Sequence, residues 1–349
     1  MSRIVVHPSE FNQNPAHYNI LTDKYFFESL KNKGYEVVFS KDVNINKKDV
    51  ILFVEAKNCV PKYFIFKTSS PLTKIKIIIK GFLGVLNNNK SEFKVDFKNN
   101  KKILLIFEGE IHAPENHNKN LSKYSNYILT WNDELLNLPN FIKINIPQQK
   151  DWELISHLKY SKKKLLTLIS SNIYSFRRNE LYSERRKIIR YAEKRLNTDF
   201  DLFGFNWNKP SNFWQKINKN LIPYYKSYKG SVKSKAQTLS NYRFAIVYEN
   251  YRTVGYVTEK IFDCLRSNCI PIYLGAPNIA SILPENIYID RTKFSTDKDL
   301  LDYISKMKEE TYNKYLTNIQ RFINSDEFQK HFSTEISKKI HQLLTIDLI

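Results

Sequence analysis

The sequence is poor in sulfur and glycine and has no long apolar run, and these shortages close off whole classes of protein. Three cysteines, Cys59, Cys264 and Cys269, are too few for a disulfide framework, and no Cys or His pair has zinc-site spacing. A reducing cytoplasm suits such a chain. Eight glycines in 349 residues, beside abundant lysine and asparagine, read as compositional background rather than function. The longest apolar stretches, KIKIIIKGFLGVL and ILLIF, are too short and interrupted to cross a bilayer. The opening MSRIVVHPSEFNQNP lacks a basic-then-apolar leader, so the expectation is a soluble or peripheral protein, cytoplasmic, with at most contact at an inner membrane face.

What the chain does have is apolar surface and positive charge. A hydrophobic content of 42% with 14% aromatics excludes a disordered chain. The formal charge of +20 suits an anionic partner, whether nucleic acid, an acidic membrane or a phosphorylated substrate. The excess is scattered lysine with short clusters such as Lys162-Lys163-Lys164, so charge alone names no partner. A nucleic-acid binder is one rival reading, but no RNA-recognition, helix-turn-helix or zinc-finger pattern supports it.

Length predicts two domains. Short β-rich runs (RIVVH, YEVVFS, DVILFVEA, KIKIIIK, KKILLIF, NYILTW, FIKINI) alternate with helix-compatible stretches, the pattern of a mostly parallel sheet under helices. After a lysine-rich connection near residues 150–163 the pattern restarts with LLTLISS, DFDLFGF, FAIVYEN and IPIYLG. The expected fold is therefore α/β with a first domain over 1–155 and a second over 156–349. From Asp297 onward, apolar residues at helical spacing predict terminal helices belonging to the second domain.

FAIVYEN reads as a strand ending at Glu249-Asn250, YRTVGY as a loop, and VTEKIFDCLRSN as a helix burying Val257, Ile261, Cys264 and Leu265. Lys260 then falls in the helix's first turn, against the positive end of the dipole, a penalty of roughly 0.3–1 kcal/mol. A bound phosphate at that rim would offset it. An arbitrary Glu-Lys pair is ordinarily a solvated helix face; the residues around this pair are not ordinary.

The stretch YRFAIVYENYRTVGYVTEKIFDCLRSNCIPIYLGAPNI, residues 242–279, resembles the signature of the α-1,3/4-fucosyltransferases, glycosyltransferase family 10. The shared pattern is Tyr-basic-Phe, Glu-Asn, Tyr-Val-Thr-Glu-Lys-Ile, then Pro-Ile-Tyr with Gly and Pro-Asn close behind. The resemblance implies a GT-B architecture, two Rossmann-like domains facing across a cleft. An acceptor-side first domain and a GDP-fucose-binding second domain follow from it. It also implies inverting transfer of L-fucose to a hydroxyl of an oligosaccharide or glycolipid acceptor. The products expected are α-1,3 linkages to GlcNAc or Glc of a galactose-containing glycan, as in Lewis-type antigens. No metal ligand is required. A glycosyltransferase using another nucleotide sugar for surface polysaccharide assembly is the alternative.

By position, Asn250, Tyr256, Glu259 and Lys260 are similar to the family's donor-binding set, with Lys260 on the diphosphate and Glu259 on sugar hydroxyls. The family also has an arginine opening a helix after a strand. Among Arg177, Arg178, Arg185 and Arg186, the apolar spacing of Ile188, Ile189 and Ala192 selects Arg185, with Arg186 in reserve. A guanidinium there suits a departing diphosphate. The acceptor's proton needs a base, and FEGEIHAPEN resembles the catalytic segment, favouring Glu110 with Glu108 in reserve. His112 beside it reads as a loop histidine. Asp199 and Asp201 spell the metal motif of other glycosyltransferases but sit within TDFDLFG, where alternation points them off a strand. Cys264 and Cys269 read as core thiols.

Overall fold

The computed structural model describes residues 2–7, 20–40, 42, 44–56, 59, 99–152, 158–210 and 213–346; KIKIIIK, read above as a strand, lies outside them. The chain forms two compact units, Met1–Pro147 with Phe332–Ile349, and Gln148–His331.

In the first unit, β1 (Arg3–His7), α1 (Lys24–Asn32), β2 (Glu36–Phe39), β3 (Val50–Val54), β4 (Lys101–Ile106), β5 (Tyr127–Thr130) and β6 (Phe141–Lys143) build a parallel sheet of order β2-β1-β3-β4-β5-β6. Successive side chains on a strand point to opposite faces. Ile4, Val6, Leu52, Val54, Ile103 and Leu105 therefore meet one helix layer, while Val5, Ile51, Phe53, Leu104 and Ile106 meet the other. All of Val50–Val54 is buried, as a central parallel strand covered on both faces must be.

The second unit contains β7 (Lys164–Ile169), α2 (Tyr182–Leu196), β8 (Phe200–Phe203), α3 (Phe213–Ile217), α4 (Lys235–Ser240), β9 (Tyr242–Tyr248), α5 (Glu259–Arg266), β10 (Ile270–Leu274), β11 (Ile289–Asp290), α6 (Asp297–Lys306), α7 (Glu309–Ile323) and α8 (Asp326–Gln329). Its strands are also parallel, in the order β11-β10-β9-β7-β8. Each sheet reverses direction after its second strand, so each has a topological switch point, between β1 and β3 and between β7 and β9. Ligands of open α/β sheets bind outside the carboxyl ends of the strands at such points.

The last helix, α9 (Ser333–Ile346), corrects the expected division at 155/156. It packs on α1 in the first unit: Ser333 Oγ donates to Asp23 Oδ2 at 2.5 Å, Ser337 Oγ to Phe26 O at 3.0 Å, and Tyr35 Oη meets His341 Nδ1 at 3.0 Å. Helical spacing announces that a face is buried; it does not say against what. Ile340 is fully buried in the first core, so Ile340→Ala is expected to lower stability by about 2–5 kcal/mol. A thermal melt indistinguishable from wild type would show that α9 does not hold this core.

Candidate functional site

The carboxyl end of β9 delivers Glu249, and the loop that follows returns at Thr258 to start α5. Glu249 is completely buried, and its carboxylate accepts from Thr258 N at 2.8 Å, from Thr258 Oγ1 at 3.0 and 2.8 Å, and from Lys260 Nζ at 3.0 Å. Lys260 Nζ also donates to Thr258 Oγ1 at 2.7 Å and lies 3.7 Å from Glu259. The lysine of the first turn thus holds an internal acid, which offsets the unfavourable dipole without any ligand. Thr258 stands at the N-cap, yet its hydroxyl serves Glu249 rather than the helix's own N–H groups. Gly275 makes room for this arrangement, because a Cβ there would sit 2.6 Å from Glu249 Cγ and 2.4 Å from Tyr273 Oη.

Arg185 reaches the same place from α2. It is buried, and it donates Nε to Tyr248 O at 3.1 Å, Nη2 to Tyr248 O at 2.5 Å and Nη2 to Asn250 Oδ1 at 3.0 Å. Burial lowers its pKa from the ordinary guanidinium value, while Tyr182, Glu249, Tyr256 and Glu259 pull the other way. Arg185, Asn250 and Lys260 therefore gather at the β7/β9 switch point, and Tyr256 and Glu259 are close enough to act on the arginine's charge. Tyr256 is buried with its ring 4.8 Å from that of Tyr251. A cavity of about 40 Å³ opens here, lined in part by Ser170, Arg185, Lys235, Tyr248, Lys260 and Asp263. Lys235 Nζ donates to Asp263 Oδ2 at 3.1 Å, and burial pushes the Asp263 carboxyl up to about 6. Ser170 Oγ is buried with no hydrogen-bond partner among the described residues.

Arg186 is not part of this group. It donates to Ile173 O at 2.7 Å and lies over the Tyr174 ring. Asp201 is occupied by Lys164 Nζ and Tyr242 Oη, both at 2.6 Å, and Asp199 is exposed. Cys264 and Cys269 are buried.

In the first unit, Glu108 and Glu110 are exposed on the loop leaving β4. His112 N and Ala113 N both donate to Gly109 O, which closes the turn that carries Glu110. Beneath it lies Glu55, just past β3, buried and in the left-handed region at φ 67°. One Glu55 oxygen accepts from Phe107 N and Glu108 N, each at 3.1 Å, and the other accepts from Asn116 Nδ2. Asn116 also donates to Glu108 O at 3.2 Å and accepts from Ala56 N at 2.9 Å. His117 completes the support. Its Nε2 meets Glu108 O at 3.2 Å, which can only accept, so Nε2 carries the proton and Nδ1 accepts from Asn132 Nδ2 at 2.9 Å. A larger cavity of about 690 Å³ lies at the opposite, amino ends of these strands, beside Asp49, Lys101 and Asn126.

Sequence reasoning missed Glu249 and Glu55 as site residues. Glu249 carried a signal, since an acid ending a buried strand one residue before a site asparagine must be held by something. Glu55 carried none, because its burial and its backbone conformation arise only in the fold.

Glu249→Ala should destabilise the protein by about 1–3 kcal/mol by leaving Thr258 N–H and Oγ1 without their acceptor; an unchanged melting temperature would refute the anchoring role. Burial and the charge of Glu108 push the Glu55 carboxyl up to about 8, whereas an unfolded glutamate titrates near about 4.3. Between those values the folded state holds a proton that the unfolded chain has released, so this group's contribution to stability falls as pH rises. Glu55→Gln should flatten that decline in melts from pH 5 to 8.5; an identical slope in the variant would refute it.

The model for the C-terminal part of glycosyltransferase family 10 (fucosyltransferase) matches residues 159–343. An alpha-(1,4)-fucosyltransferase of Arabidopsis thaliana is 35% identical over 79 residues, 22% of this chain and 20% of that protein. The alpha-(1,3)-fucosyltransferase FucT of Helicobacter pylori is 39% identical over 74 residues, 21% of this chain and 16% of that protein. The chain thus spans a fifth or less of these relatives' length. The fold is similar to a crystal structure of alpha1,3-fucosyltransferase with GDP-fucose, at a TM-score of 0.52 and 16% identity over 90% of this chain and 81% of that one. Two parallel α/β units are the expected GT-B architecture, and the matched segment contains the Glu249–Lys260 anchor, Arg185 and Asn250. The chain belongs to glycosyltransferase family 10, the fucosyltransferases.

Proposed function

We propose that the chain transfers L-fucose from GDP-fucose, with inversion, to a hydroxyl of a glycan acceptor. The observation that carries this reading is the meeting of Arg185, Asn250 and Lys260 at the switch point of the second unit, with Glu259 on the same rim. An ammonium has three N–H groups, and Lys260 uses two on Glu249 and Thr258, so one remains for a phosphate oxygen. Arg185 has its Nε and Nη2 engaged and keeps Nη1 for the same diphosphate. Both cations stabilise the leaving group as it gains charge. Glu259 accepts from fucose hydroxyls, and Asn250 and Tyr256 complete the donor site.

The acceptor hydroxyl attacks the anomeric carbon, its proton passes to Glu110, and the C–O bond to GDP breaks. Glu110 suits this role because it is exposed on a loop fixed from below, which keeps the base in place at no cost during the reaction. Glu108, exposed on the same loop, is the reserve. No metal ion takes part in this scheme. GlcNAc or Glc of a galactose-containing glycan is the acceptor taken from the sequence resemblance; the relatives' names give only the α-(1,4) or α-(1,3) linkage.

Incubation of GDP-fucose with galactose- and N-acetylglucosamine-containing acceptors, followed by linkage analysis, tests the reaction. Transfer only from UDP- or ADP-sugars would replace it with the other nucleotide-sugar reading. Glu110→Gln should lose about 100-fold or more in turnover with near-normal GDP affinity, and full turnover would move the base to Glu108. Lys260→Ala should weaken GDP binding about tenfold or more, measured by calorimetry; wild-type affinity would remove Lys260 from the donor site.

A further inference from the structure

Eight of the eleven large apolar side chains that stand exposed among the described residues fall between Ile173 and Tyr224, on the two loops that leave the carboxyl ends of β7 and β8. Phe176 is 91% exposed, Tyr224 82% and Trp214 69%, with Ile217, Leu221 and Phe205 also more than half exposed. The two loops form one surface: Asn172 N donates to Phe205 O at 2.9 Å, Asn172 Nδ2 to Asn206 O at 3.3 Å, and Trp207 Nε1 to Ser170 O at 2.7 Å. Exposed apolar side chains gathered on two loops joined at their roots mark a surface that meets something.

The charge around them says what. From Leu202 to Tyr248 the sequence contains no aspartate or glutamate, while Lys209, Lys216, Lys219, Lys226, Lys229 and Lys233 all occur there and all are exposed. Lys216 and Lys219 alternate with Trp214, Ile217 and Leu221 along α3 and the short turn after it. Tryptophan and tyrosine prefer the boundary between water and hydrocarbon, aliphatic side chains enter the acyl region, and lysine stems let the ammonium reach anionic headgroups. A second copy of the chain fits poorly, because self-pairing would press lysine against lysine. Nucleic acid would use the aromatics and lysines but leaves Ile217 and Leu221 without a role.

We propose that the surface formed by the β7 and β8 loops, centred on Trp214, Ile217, Leu221 and Tyr224, docks the protein on an anionic lipid bilayer. The last helix, α9, is not the surface involved: it is committed to the first core through Ile336, Ile340 and Leu344.

Co-sedimentation of the full chain with vesicles of phosphatidylcholine, with and without phosphatidylglycerol, tests this. Binding should require the anionic lipid and weaken as salt screens the lysines. The triple variant Trp214→Ser, Ile217→Ser, Leu221→Ser should partition about tenfold or more less strongly at an unchanged melting temperature. Lys216→Gln with Lys219→Gln should lower both affinity and salt dependence. Of the other three tryptophans, Trp131 and Trp207 are buried and Trp152 is half-buried with its ring covered by Arg266, so a blue shift of tryptophan emission on vesicle binding should disappear in Trp214→Phe. Failure of the wild type to bind anionic vesicles, or equal binding by the triple variant, overturns the proposal. Loss of a dimer in the triple variant would reassign the surface to a second copy. Loss of oligonucleotide binding with vesicle binding intact would reassign it to nucleic acid.

Discussion

A single buried carboxylate organises the second unit. Glu249 has no access to water, and an uncompensated charge in that position would cost several kcal/mol. The chain meets this requirement from one direction only: the loop after β9 must return so that Thr258 and Lys260 can reach the acid. That return fixes where α5 begins, places Lys260 in its first turn and carries Asn250 to Arg185. The close approach at Gly275 is part of the same constraint, since any side chain there would strike Glu249. The rim proposed to hold the donor is thus shaped by an acid buried beneath it.

The first unit repeats this logic with a different outcome. Glu55 is also a buried acid just past the end of a strand at a switch point, but its partners are backbone N–H groups and an asparagine rather than a cation. Burial and the charge of Glu108 dominate, and the proton is held to a higher pH. Both acids fix loops. One does so through an ion pair and the other through neutral donors.

Most of the scaffold was legible in the sequence, and the reason is periodicity. Buried parallel strands appear as continuous apolar runs such as VILFV, and all of the predicted strands that fall in the described residues form. The cluster of Arg185, Asn250 and Lys260 was legible because short motifs with fixed spacing constrain one another. Three things were not legible. The partner of α9 depends on long-range packing, which a local amphipathic pattern does not encode. The left-handed conformation of Glu55 leaves no trace in residue type. Lys260 was expected to wait for a phosphate, whereas the fold already supplies Glu249, because an acid at a strand end looks the same whether it faces water or the interior.

The route of the chain carries one more implication. It enters the second unit at Gln148 and leaves at His331, and Gln148 N donates to His331 O at 2.7 Å. In topological terms one module is inserted between the two chain segments that make up the other. The cut ends of an excised insert would lie a hydrogen bond apart. Such a junction suits circular permutation and the exchange of one module between hosts, and it makes the tail of the chain a structural part of the module with which it began.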